Sequence, residues 1–583
     1  MTLTSVSPSS VTAGGPPFIL TVNGSNLTAG YATLVWNGGQ QIASVGAGHS
    51  TESTQATFLI DPSLIANPGN VSIAVIDGIN NNQLSNTLTL TVMPHTTTAC
   101  GLFGLYHYLV TGFEQKGAMV AAGAFGVDAS GNVTGEYGFG DLSLPFSLFG
   151  NTPDFIGPGF PGPAGGQCTN SSTPNQGTLT LSCACGTASS TFTFTYTFIL
   201  QQGGGGRLVE SNDAVSQFGN MSGSGVFAKV IPDSVFIGDY AFGMTGTDTH
   251  GDQGKWTHFG TVGAFTFSSG NLNGVADVND GGTVLSNATL GPAAGVPLFS
   301  PDAYSIDQVN LDVTGLGNNF VFHMLMTSPA TGFVVGDVNS SFAPSGTFED
   351  VILAGFVSSQ ANAGAYGNNS LNAPLVLSTS GVPPPVCCTI STDTTLGLAS
   401  GFNSGAGTFN LELDNVSGGV ANLNQAVTGV TYSVASNGRA TVSYSVGGNT
   451  LNYVYYLDSV NDGYILGLGN SAEFGFFQPQ AAGPFTTASI NGTFGSATFF
   501  PLTPMAPNLA TEITLNNGSM SANTPAGALT GTYAVAPSGR GTASVNLPVL
   551  GGKDLVFYVI GPDSVVVMGS DATASDAISF MHL

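Results

Sequence analysis

Charge is what this sequence has least of. Charged residues make up 7% of the 583 positions, against roughly a quarter in ordinary soluble proteins. Only 7 are basic, and the first of them is Lys116. With a net charge of −26 and no basic cluster, the chain offers nothing to a phosphate backbone or an anionic lipid. Nucleic acid and anionic membrane are therefore excluded as partners. Long apolar runs are missing too: none reaches the 18 or so residues of a membrane-spanning helix, so no membrane insertion is expected. The opening MTLTSVSPSS has neither a charged n-region nor an apolar core. A secretion leader is expected to have been removed or to precede the numbering.

Reaction motifs are absent as well. There is no G-x-S-x-G elbow, H-E-x-x-H pair, phosphate loop or dinucleotide fingerprint. Seven histidines are scattered, and paired carboxylates suited to hydrolysis do not stand out. The expectation is a protein that is not an enzyme. Cysteine is sparse: Cys100, Cys168, Cys183, Cys185, Cys387 and Cys388. Their spacing does not match the CxxC pairs of metal sites, so disulfides in an oxidising compartment are the simpler expectation. The first four allow two bridges in any of three pairings. Cys387 and Cys388 bridge each other, pair with a neighbouring chain, or stay free.

What is there in quantity is turn-forming and apolar material. Hydrophobic residues reach 42%, Phe alone numbers 38, and Gly 83. Many short apolar runs punctuated by Gly, Ser, Thr and Asn imply an all-β protein. The length suggests about four or five domains. Low charge with many hydroxyls and amides fits a secreted protein. It also fits life in acid, where protonated carboxylates leave few charges to repel one another.

The chain repeats itself. Gly531–Val545, GTYAVAPSGRGTASV, nearly restates 431–442, TYSVASNGRATV, with Tyr, Val, Gly, Arg and Thr in matching places. Both read as two strands around a Ser/Asn-Gly turn, a β-hairpin. Upstream, Gly104-Leu105-Tyr106 with Gly123-Ala124-Phe125 is echoed by Gly238-Asp239-Tyr240 with Gly263-Ala264-Phe265. The back halves repeat in four runs, the clearest being TFTFTYTF at 191–198, whose strict alternation puts its aromatics on one sheet face. We read four units of six to eight antiparallel strands, at 100–231, 232–357, 358–481 and 482–583. One buried face per strand fits a small closed barrel or a sandwich.

Residues 1–93 form a different module. Its elements are Pro8-Ser9-Ser10, Ala13-Gly14-Gly15, Val22-Asn23-Gly24-Ser25-Asn26-Leu27, Val35-Trp36-Asn37-Gly38 and the closing SNTLTLTV at 85–92. This order resembles an IPT/TIG domain, an immunoglobulin-like sandwich. The resemblance implies a spacer or adhesive module of bacterial surface proteins and brings no catalytic residues. Trp36 is expected to be a packed core or edge aromatic rather than a ligand platform. The repeat style resembles tandem β-repeats of large secreted proteins of environmental bacteria such as acidobacteria, which implies location and class only.

Two constellations point to ligands. Asp277, Asn279 and Asp280 offer oxygen ligands of the kind Ca²⁺ prefers, as a structural ion; the other reading is a hairpin turn held by Asx side chains, and Asp458 to Asp462 is ambiguous in the same way. In the polar loop 250–258, Trp256 is placed to stack on a sugar, with Asp252 and His258 bonding hydroxyls; the other reading packs Trp256 on its own rim. The functional expectation is an extracellular, cell-surface structural protein, five β-domains in a row that polymerise with other copies into a filament, sheath or layer, with strand addition as a route. The alternative is an adhesin binding glycans or cell-surface components.

Overall fold

The structure is a computed structural model. It describes the chain apart from residues 30–31, 44–49, 78–82, 96–99, 115–116, 143–165, 172–174, 184–191, 202–203, 214–221, 232–236, 249–256, 269–270, 293–305, 314–318, 339–350, 384–391, 499–510, 525–526, 548–550, 571–576 and 583. Among the described residues the chain is strands and short 3₁₀ turns, and no helix is long and apolar enough to cross a membrane.

The N-terminal module is a two-sheet sandwich. Thr2–Ser7, Phe18–Ala29 and Ser50–Ile60 form one sheet; Ser10–Thr12, Leu88–Met93, Gly69–Asp77, Ala32–Trp36 and Gln40–Ala43 run across the other. Alternate residues of both sheets, among them Leu20, Phe58, Trp36, Ile73 and Leu90, meet in a dry core. Trp36 is thus a core residue. The side chain of Asn86 accepts from the Leu3 N–H at 2.7 Å and donates to its carbonyl at 3.1 Å, which occupies backbone groups of the edge strand that would otherwise invite another chain.

Each of the four repeats is a closed barrel of eight antiparallel strands in sequence order, the eighth pairing with the first. The first runs from Gly104–Glu114 to Ser222–Lys229, the second from Gly238–Asp248 to Val351–Ser359, the third from Leu375–Gly381 to Phe474–Pro479, and the fourth from Gly492–Thr498 to Ala577–His582. Inward residues fill each lumen: Tyr240, Phe242, Met244 and Phe322 in the second, Phe494, Ile513, Phe557 and Val567 in the fourth. Closure gives every barrel strand two neighbours among the described residues, which matters for a chain with few charges to protect an edge.

The segment before barrels one, three and four plugs the barrel that follows; residues 232–236 before barrel two lie outside the described residues. Cys100 and Leu102 enter the first core, Tyr366 and Leu371 the third, Phe485 and Ile490 the fourth. A Cys100–Cys168 disulfide staples the first plug to the fourth strand of its barrel, Gly166–Asn170. Cys183 ends a strand whose terminal side chain is not described, and Cys185, Cys387 and Cys388 lie outside the described residues.

The barrels do not stand in a row. The first two strands of barrel one pack on the last two of barrel two; the opening strands of barrel two pack on the last three of barrel three; those of barrel three pack on the last three of barrel four. The opening strand of barrel four, Gly492–Thr498, then packs on Gly206–Asp213 and Ser222–Lys229 of barrel one. The same face relation recurs four times and closes a ring. This corrects the expected linear array. The expectation of one buried face per strand fails at the same places: Thr257–Ser268 is buried at eight consecutive positions, because its outer face is covered by barrel three.

Candidate functional site: the junctions between barrels

Two of the junctions are built alike, residue for residue. In barrel two the seventh residue of the third strand, Asn271–Asp280, is Asp277; in barrel three the seventh of Thr408–Ser417 is Asp414. Each faces a β-bulge, because strand pairing shifts between Ala276 and Val278 and between Leu413 and Asn415. The bulged residues, Asn287 (φ 52°) and Asn424 (φ 54°), are left-handed, a conformation asparagine tolerates better than most residues. Their N–H groups donate to Asp277 Oδ1 at 3.1 Å and Asp414 Oδ1 at 2.8 Å.

The rest of each carboxylate is held by the next barrel. Arg439 donates from Nε to Asp277 Oδ2 and from Nη2 to Oδ1, both at 2.7 Å, and the Tyr456 hydroxyl donates to Oδ2 at 2.8 Å. Arg540 donates to Asp414 at 2.7 and 2.6 Å, and Tyr558 at 2.7 Å. The fork is bidentate, the strong geometry for guanidinium and carboxylate. Arg439 and Arg540 each open the fifth strand of their barrel and pair across it with Tyr456 and Tyr558. The bonds to the carboxylate raise both guanidinium pKa values further, against burial, and burial holds both tyrosines protonated, well above the ordinary range.

Apolar surface surrounds each clamp. Val262 and Ala264 meet Val454, Leu466 and Phe474 between barrels two and three; Leu396 and Leu398 meet Val556, Val566 and Met568 between three and four. Two glutamines finish the design. Gln360 Nε2 donates to the carbonyls of Asn437 and Leu457 at 3.1 and 2.6 Å, and Gln480 Nε2 to those of Ser538 and Val559 at 3.0 and 2.8 Å. Both tie the connecting segment to the hairpin that carries the arginine. The junction between barrels one and two is apolar, with Leu105, Leu109 and Ala122 against Leu325, Phe333 and Val335.

Of the residues expected to bind Ca²⁺, Asp277 and Asn279 serve this interface instead. Asp277 is filled by donors. Asn279, on the same strand face, donates to the carbonyls of Gly467 and Gly469 at 2.7 and 2.6 Å and accepts from the Gly282 N–H. Asp280 points the other way and accepts from Thr257 Oγ1 at 2.7 Å. Period-two alternation separates it from the other two, so the three oxygens do not converge on a cation. Among the described residues no cluster of His, Cys, Asp and Glu is arranged to hold a metal.

His258 is likewise no sugar contact. It is buried between barrels two and three, Nε2 at 2.7 Å from Thr245 Oγ1 and Nδ1 at 3.0 Å from the Ser471 carbonyl. Burial pushes its pKa down to about 4, against the bonds to Ser471 and Ala472. Trp256 and Asp252 lie outside the described residues. Nearby, Glu473 accepts from Thr379 Oγ1 at 2.5 Å, and burial raises its pKa to about 7. Asp462 is raised to about 7 by burial and then by the charge of Asp458.

Comparison with known families places the head of the chain. Residues 1–92 match the IPT/TIG domain. That segment is an IPT/TIG domain. Its match ends one residue before the last residue of the strand Leu88–Met93, so the family covers the sandwich and none of the barrels. Ig-like domains of this kind are typical of extracellular proteins. No curated protein matches the chain.

Proposed function

We propose that the protein is a non-enzymatic extracellular structural protein, a building unit of a surface filament, sheath or layer in which copies of the chain associate. The four barrels form one ring, and the IPT/TIG domain is its spacer or attachment module. The observation that carries this reading is the repeated clamp. Two of the three arginines in a chain with 7 basic residues are placed in matching positions as cement between its own domains. A fork of this kind contributes rigidity and register more than net stability.

Electron microscopy of the native cell surface, with mass measurement of concentrated purified protein, tests it. A regular lattice or fibre containing the chain is expected. A featureless surface together with a strictly monomeric protein contradicts it. Glycan-array binding that is lost in Trp256→Ala would favour the adhesin reading instead.

A further inference from the structure

The ring-closing junction is built differently from the others. In barrel four the third strand, Ser519–Thr524, has six residues. The sequence has Pro525 at the seventh position, where Asp277 and Asp414 stand in barrels two and three. On the opposite face, barrel one carries Gln176 paired with Ile199 where barrels three and four carry Arg439 paired with Tyr456 and Arg540 with Tyr558. Neither half of the clamp is present by register.

The apolar seal is altered as well. The outward residues of the second strand are Val120, Ala122 and Ala124 in barrel one, Val262 and Ala264 in barrel two, and Leu396 and Leu398 in barrel three, all buried. In barrel four the register of Thr511–Asn516 puts Glu512, half-buried, where Ala264 and Leu398 stand, and the counterpart of Val262 and Leu396 lies outside the described residues. Barrel one in turn places the buried Arg207, paired with Ile199, where the register of barrels two, three and four has Phe333, Tyr464 and Val566. So the junction that closes the ring has the same face relation as the other three and the least apolar residues.

A heterologous contact of this sort closes a ring when its rotation is satisfied within one molecule, and builds an open chain of molecules when satisfied between them. We propose that the ring opens at the junction between barrels four and one. The strand Gly492–Thr498 of one copy then packs on Gly206–Asp213 and Ser222–Lys229 of a second copy, linking chains head to tail. This rests on the reading that copies of the chain associate and names the surface they use. No new interface is needed: the intermolecular contact reuses the intramolecular one. Its onset is set by protein concentration against the effective concentration of barrel four, which barrels two and three hold near barrel one.

Spin labels carried by unnatural residues at Thr169 in barrel one and Thr514 in barrel four, both exposed, test this by pulsed dipolar spectroscopy. The dilute monomer shows one short distance. In assemblies formed with a large excess of unlabelled chain, that distance is lost from most labelled molecules, because the neighbouring barrel now belongs to another copy. Assemblies that retain it overturn the inference while leaving self-association intact. A chain that stays monomeric at every concentration overturns both.

Discussion

At the scale of single residues, Asp277 and Asp414 do the most. Asp414 is fully buried while its partner Arg540 keeps 15% side-chain exposure. Asp414→Ala therefore leaves the guanidinium the longer Glu412 contact at 3.8 Å, the Tyr558 hydroxyl the Glu412 carbonyl at 3.4 Å, and the Asn424 N–H without its carboxylate, in a mostly dry junction. Breaking one side of a buried pair costs roughly 3–5 kcal/mol, whereas replacing both partners with apolar groups is often near neutral. We expect Asp414→Ala to lower the denaturation midpoint and speed hydrogen exchange in Val420–Val434 and Arg540–Leu547. The double variant Asp414→Leu, Arg540→Met should recover most of the loss. The acid groups give a pH signature of opposite signs. Glu473 and Asp462 have folded pKa values raised to about 7, so their contribution is full below their ordinary values of roughly 4 and is lost as pH rises to about 7. His258, held down to about 4, contributes fully above roughly 6.5, its ordinary value, and loses that as pH falls. Two raised carboxylates outweigh one lowered histidine across this range, so thermal stability should fall as pH rises from about 4 to 7, and Glu473→Gln should flatten that fall. Melting curves across pH check this. In the sequence the arginines were visible as matching letters of a repeat. Their partners were not, because they lie 162 and 126 positions away, and Asp277-Val278-Asn279-Asp280 reads locally as a turn or an ion site.

At the scale of elements, hairpins and strand runs were legible because a two-residue period and a Ser/Asn-Gly turn are local signals. Burial of both strand faces was not, since it depends on which barrel lies outside. Its traces are small residues: a Cβ on Gly243 would lie 2.6 Å from Phe474 and 2.7 Å from Tyr464, and one on Gly260 would lie 2.5 Å from Leu466. Backbone approaches side chain there with no room for a methyl group. Gly243→Val should loosen the junction of barrels two and three and lower the melting temperature, while Gly291→Ala, which meets open space, should leave it unchanged; calorimetry distinguishes them. The plug of barrel one is fixed by a bond spanning 68 residues, a loop whose closure stabilises by roughly 4 kcal/mol on chain entropy. Cys100→Ser with Cys168→Ser should destabilise the first barrel by about that much, read as early protease cleavage within 100–230 and an unchanged limit fragment from barrels three and four. The sequence left the partner of Cys100 open, because strand closure alone brings Cys168 beside the plug.

At the scale of the whole molecule, the sandwich head and the four barrels follow from composition and repeat, but their arrangement does not. A tandem repeat by itself argues for a row. The ring arises from outer-face residues such as Val262, Leu396 and Tyr456, which the alternation of the strands presents as merely a second apolar stripe. Placing scarce arginines at two successive junctions fixes the turn from each barrel to the next, and repetition of that turn brings the fourth barrel back to the first. The central claim is therefore about shape, and small-angle X-ray scattering of the dilute monomer tests it most directly. A closed ring with one appended sandwich predicts a radius of gyration of about 25–30 Å, near the value for a compact body of this length. A radius above about 40 Å, as five domains of this size set end to end would give, would contradict it.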